Sequence, residues 1–140
     1  RFDVVDTPGL ELDGNREADD GQRGASPELG EALFRAAGRE ILEADAALLL
    51  LDGAVGATGA DDDAGRWLRR HAGATPRVVA FNKCEDGREV SAADWAAAAK
   101  HADVGPLLVS ALHGDGLPDL AEALLGLGAC APRTAEAAAP

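Results

Sequence analysis

Four short apolar runs punctuate the chain, at residues 2–5, 46–51, 78–81 and 107–109, each rich in Val or Leu and each followed by a loop signal. Runs of this length bounded in this way read as buried parallel strands. Amphipathic segments lie between them. Ser26-Pro27 caps and opens the first helix, with Leu29, Leu33, Ala37 and Ile41 on one face. A second helix, about 61–72, gathers Ala64, Trp67, Leu68 and Ala72. The third begins at Ser91 with Asp94 three residues on, a variant of the capping box, and carries Trp95. The fourth has Pro118 in its first turn and turns Leu117, Leu120, Ala121 and Leu124 inward. Strands alternating with helices predict right-handed βαβ units and a doubly wound α/β sheet with helices on both faces, in which ligands bind beyond the C-terminal strand ends.

Two stretches fall outside the alternation. Residues 10–25 are polar, acidic and glycine-bearing, which predicts a mobile loop of switch type. Residues 128–140 form an alanine- and proline-rich tail with little to bury, which predicts a linker or disordered end after a domain spanning 1–127.

Composition narrows the picture. A chain of 140 residues fits one domain. It starts at Arg1 directly before an apolar run and contains no Met, so the expectation is a piece of a larger fold. A net charge of −12 opposes direct binding to nucleic acid or to anionic lipid, and no run is long enough to span a bilayer. The basic cluster Arg66, Arg69, Arg70 and His71 sits on one helix and reads as a solvated face. Two cysteines make no disulfide framework and suggest a reducing compartment. Asp61, Asp62 and Asp63 open a helix, where dipole and capping explain acids more simply than a metal does. His113 reads as an exposed loop residue.

The chemistry lies at the strand ends. Asp6-Thr7-Pro8-Gly9 follows the first run: a carboxylate there can hold Mg²⁺ through water, and Gly9 lets a backbone N–H approach a γ-phosphate. Asn82-Lys83-Cys84-Glu85 follows the third. Guanine presents an O6/N7 acceptor edge and an N1–H/N2–H₂ donor edge, so reading it takes an amide on one side and a carboxylate on the other. Asn82 with Glu85, or with the adjacent Asp86, supplies that pair, and the Lys83 stem can lie flat over the ring. Ser110-Ala111-Leu112 follows the fourth run, where the Ala111 N–H would point at O6. No GxxxxGK[ST] phosphate loop occurs in the 140 residues, whose only lysines are Lys83 and Lys100.

The stretches VVDTPGL, ADAALLLLDGAVG, DDDAGRWLRRH, VVAFNKCED and LLVSALHGDGLPDLAEALL resemble the first G domain of the Der (EngA) family, within the Era-like group, over about residues 2–127. The Glu in NKCE is similar to the cyanobacterial and plastid branch. The resemblance implies a P-loop NTPase-type, mostly parallel sheet truncated at its N-terminus, with the phosphate-loop strand missing from between the strands at 2–6 and 46–52. The expected outcome is a three-stranded parallel core, with 2–6 the least anchored element. It also implies GTP or GDP as ligand, Mg²⁺ linked through Asp6 and K⁺ in the intact protein. Gly9 becomes the γ-phosphate sensor, and Asn82, Lys83, Glu85, Ser110 and Ala111 the guanine pocket. Leu10 stands where other GTPases keep a water-orienting Gln. For the parent protein it implies GTP hydrolysis, a ribosomal subunit as partner and a cytoplasmic or plastid-stromal location; this chain alone is expected to be inactive. The competing readings are a pseudo-GTPase serving as a protein-interaction module and an unrelated doubly wound domain such as a flavodoxin-like receiver. A phosphate loop within about 60 residues upstream of Arg1 would separate the first two.

Overall fold

The computed structural model describes residues 3–6, 27–85 and 87–130, with side chains of 32 and of 34 onward in the first helix and up to 127 in the last. The elements run α1 (Pro27–Glu43), β1 (Ala47–Asp52), α2 (Gly59–His71), β2 (Arg77–Asn82), α3 (Ala92–Ala99), β3 (Val104–Leu108) and α4 (Leu117–Cys130). The three strands form one parallel sheet in the order β1-β2-β3. This is an α/β fold consistent with a truncated G domain.

Side-chain alternation distributes the strands between two cores. Ala47, Leu49 and Leu51 point to one face of β1. There Ala47 and Leu49 pack with Ala37 and Ile41 of α1, with Trp67 and Leu68 of α2 and with Ala72, which caps its C-terminus. Leu49 and Leu51 also join Val79 and Phe81 of β2 and Ala98 of α3. Two successive crossovers in one direction across a parallel sheet place α2 and α3 on the same face. Val78 and Ala80 point the other way and are fully buried, where α4 packs against β2 and β3. Leu48 and Leu50 share that second face yet remain 41% and 51% exposed, because they lie beyond the reach of α4 at the sheet's edge.

Caps fix the crossover helices. Thr58 Oγ1 accepts from the Asp61 N–H while Asp61 Oδ2 accepts from the Thr58 N–H, a reciprocal box that starts α2 before the expected residue 61. Ser91 Oγ accepts from the Asp94 N–H at 3.1 Å, as the sequence predicts for α3. Asp62 receives Arg66 at 2.7 Å and Lys100 and His101 at 2.8 Å each, tying α2 to the end of α3. The hydrogen bond from Lys100 foremost, then that from His101, with the charges of Arg66 and Lys100, hold the Asp62 carboxyl at about 2.

Three expectations change. The strand expected at 2–5 does not join the sheet: residues 3–6 carry no strand pairing, and Val4 and Val5 are 88% and 60% exposed. Burial there requires a pairing strand, and among the described residues none pairs with this segment. The strand expected at 107–109 begins earlier, at Val104, with Pro106 inside it. An irregularity in the β2–β3 register accommodates the proline, and Gly105, at φ +101°, passes where a Cβ would lie 2.5 Å from the Val79 carbonyl oxygen. The last helix continues through Cys130, three residues into the expected tail, since the next helix-breaking residue is Pro132. The loop at 10–25 and residues 131–140 lie outside the described residues.

Candidate functional site

The ends of all three strands converge on residues 82–85. β2, buried along Val78–Phe81, delivers Asn82 to the rim. From the β1 side, the Gly53 N–H donates to the Asn82 carbonyl at 2.6 Å. From the β3 side, the Cys84 N–H donates to the Val109 carbonyl at 3.1 Å and the Val109 N–H to the Phe81 carbonyl at 2.8 Å.

The expected base-reading residues come together, with one change of partner. The Ala111 N–H, expected to face guanine O6, donates instead to Asn82 Oδ1 at 3.0 Å. The reason is proximity: the β3 loop folds against β2, so the amide oxygen takes that donor. Because Oδ1 is engaged, the Asn82 NH₂ is the group left to meet an acceptor such as N7 or O6. Ser110 is fully buried and shapes its loop: its Oγ accepts from the His113 N–H at 3.1 Å and its carbonyl from the Gly114 N–H at 2.7 Å. Leu112 is 77% exposed at the rim. Glu85 is half-buried, its carbonyl accepting from the Arg88 N–H at 3.0 Å.

Lys83 adopts φ +63°, the left-handed region that side chains other than glycine rarely enter, and such positions concentrate at functional loops. Its Nζ reaches Asp52 Oδ2 at 2.7 Å. That hydrogen bond, followed by the Ala54 N–H on the other oxygen, holds the Asp52 carboxyl below its ordinary value and the Lys83 amine above its own. Cys84 is a free thiol that donates to the Phe81 carbonyl oxygen, and burial pushes its pKa up, which disfavours the thiolate. Sequence reasoning missed Asp52 and Gly53. An Asp-Gly closing an apolar run is their only signal, and it acquires meaning once the register sets Asp52 beside Asn82.

The phosphate side is less complete. Gly9 lies outside the described residues, as does Asp86 on the base side, and Asp6 sits exposed in the unpaired segment 3–6. Among the described residues no three His, Cys, Asp or Glu side chains cluster as a metal cage. Nor is any described helix long and apolar enough to cross a membrane.

A three-stranded parallel sheet whose asparagine-led loop is braced by two neighbouring strand ends is consistent with a truncated GTPase-type domain, and sequence similarity agrees. The chain is 37% identical to GTPase Der of Synechocystis over 128 residues, covering 89% of this chain and 24% of that protein. It is 36% identical to GTPase Der of Prochlorococcus marinus over 129 residues, 90% of this chain and 25% of the relative. The GTPase Der of Parvibaculum lavamentivorans is 37% identical over 126 residues, 88% and 23% respectively. No family model matches the chain. Over the matched residues the chain belongs to the Der family of GTPases. It spans about a quarter of the length of these relatives.

Proposed function

We propose that this chain is the guanine-reading part of a Der-like GTP-binding domain, whose parent protein hydrolyses GTP and acts in ribosome biogenesis in the cytoplasm or plastid stroma. The observation that carries the reading is the 3.0 Å bond from the Ala111 N–H to Asn82 Oδ1, which joins two strand-end motifs and turns the asparagine NH₂ outward. Glu85 or Asp86 is the carboxylate for the N1–H/N2–H₂ edge, Lys83 flanks the ring, and Ser110, Ala111 and Leu112 complete the pocket. Asp6 and Gly9 belong to the γ-phosphate and Mg²⁺ side, with K⁺ a further cofactor of the parent. Without a phosphate loop among its 140 residues, the chain itself binds triphosphate weakly and hydrolyses it negligibly.

Titration of GDP and ADP against the chain tests this. GDP is expected to bind more tightly, and replacing the carboxylate that contacts the base, by Glu85→Ala or Asp86→Ala, is expected to cost on the order of 1.5–3 kcal/mol. Equal affinity for the two bases overturns the reading.

A further inference from the structure

We propose that Asp52 is a positioning residue for guanine binding: from the end of β1 it holds the Lys83 ammonium, at 2.7 Å, and so fixes in advance the side chain that flanks the base. The proposal deepens the guanine reading above and rests on it.

The geometry separates this role from simple stapling. The β1–β2 ladder is already paired through Asp52 and Asn82, and Gly53 adds its own N–H to the Asn82 carbonyl at 2.6 Å. Register therefore does not need the Asp52–Lys83 pair. The carboxylate is itself oriented, with Oδ1 accepting from the Ala54 N–H at 2.8 Å and Oδ2 left for the lysine. At the other end, the left-handed backbone of Lys83 takes its side chain out of the strand's alternation and across to β1. A lysine stem free in solvent loses rotamer entropy when a ligand orders it; one tethered beforehand loses less, and the ligand binds more tightly for it.

The experiment uses the whole 140-residue chain with GMP and AMP, which carry the bases without needing a β- or γ-phosphate site. Asp52→Asn keeps an oxygen for the Ala54 N–H and removes the charge. Asp62→Asn is the control, since Asp62 pairs at 2.8 Å with Lys100, the other lysine of the chain. Amine labelling read by mass spectrometry is expected to speed up at Lys83 by about threefold in Asp52→Asn, and not in Asp62→Asn, as for release of a solvent-facing ion pair. Asp52→Glu, which restores the charge, is expected to slow it again. GMP is expected to protect Lys83 of the unmodified chain better than AMP, and to bind Asp52→Asn about three- to fivefold more weakly. Unchanged Lys83 labelling in Asp52→Asn overturns the proposal. Unchanged GMP affinity in that variant, beside an intact preference for GMP, overturns the positioning role alone. Equal or absent protection by the two nucleotides in the unmodified chain overturns the guanine reading, and the role of Asp52 falls with it.

Discussion

Gly53→Ala probes a close backbone approach at the proposed base-reading loop. A Cβ built at Gly53 lies 2.6 Å from the Asn82 carbonyl oxygen and 2.6 Å from Cys84 Sγ. Ordinary van der Waals contact starts near 3.4 Å, so about 0.8 Å must be found from one side or the other. Overpacking of this kind costs about 1–3 kcal/mol. If the Gly53 N–H loses the Asn82 carbonyl as the loop retreats, roughly 0.5–1.5 kcal/mol is added. The expected destabilisation is therefore about 2–4 kcal/mol, a large fraction of the 5–15 kcal/mol typical of a domain. Urea unfolding followed by tryptophan fluorescence reads it, because Trp67 is buried against α1. Adding Cys84→Ala removes the sulfur but not the backbone oxygen, so the double variant is expected to recover less than half of the loss. A Gly53→Ala chain within about 0.5 kcal/mol of the original, or complete rescue by Cys84→Ala, would refute the reasoning by showing that the Asn82 carbonyl does not hold the loop against β1.

Two further outcomes are expected. Lys83→Gly and Lys83→Ala both lose the contact with Asp52, but only glycine is at ease at φ +63°, so Lys83→Gly is expected to be about 1 kcal/mol more stable in the same urea assay; equal stability would contradict a left-handed backbone there. For Asp62, held at about 2 against an ordinary 3.8, the stabilising contribution is present above pH 3.8 and lost as pH falls from there towards 2. Acid unfolding of Asp62→Asn is therefore expected to show a shallower pH dependence across that window, and an unchanged slope would refute the linkage.

What the sequence discloses depends on whether a feature is local. The runs at 46–51 and 78–81 predict β1 and β2 to within a residue, because a continuous apolar stretch ended by a polar loop is a local signal. Ser91 with Asp94 likewise marks α3. Val4 and Val5 carry the same local signal and mislead, since burial depends on a neighbouring strand that apolarity cannot specify. Pro106 hides the start of β3: a proline inside a strand reads as a break until the irregular pairing with β2 is seen. Within the proposed site, Asn82 and Glu85 are legible in the sequence because reading guanine calls for an amide and a carboxylate. Asp52 and Gly53 are not, because their roles exist only across the register that sets Asp52 beside Asn82, thirty positions along the chain.

The bonding pattern gives β2 a particular standing in this site. Val78–Phe81 are buried on both faces, so Asn82 starts from the most fixed strand of the sheet. The bonds described from β1 and β3 to the base-reading loop run to the end of β2. β1 sends Gly53 N–H to the Asn82 carbonyl and Asp52 to the Lys83 ammonium. β3 sends the Val109 carbonyl to the Cys84 N–H, and its following loop sends the Ala111 N–H to the Asn82 amide. Two side chains of the proposed base-reading loop therefore have separate supports: the loop after β3 holds the Asn82 amide, and the end of β1 holds the Lys83 ammonium. Functional groups on loops gain precision when each is braced by a rigid element. In this fold the same residue, Asn82, is braced from both sides, so the loop proposed to read the base is held although the outer edge of the sheet at β1 carries no partner among the described residues.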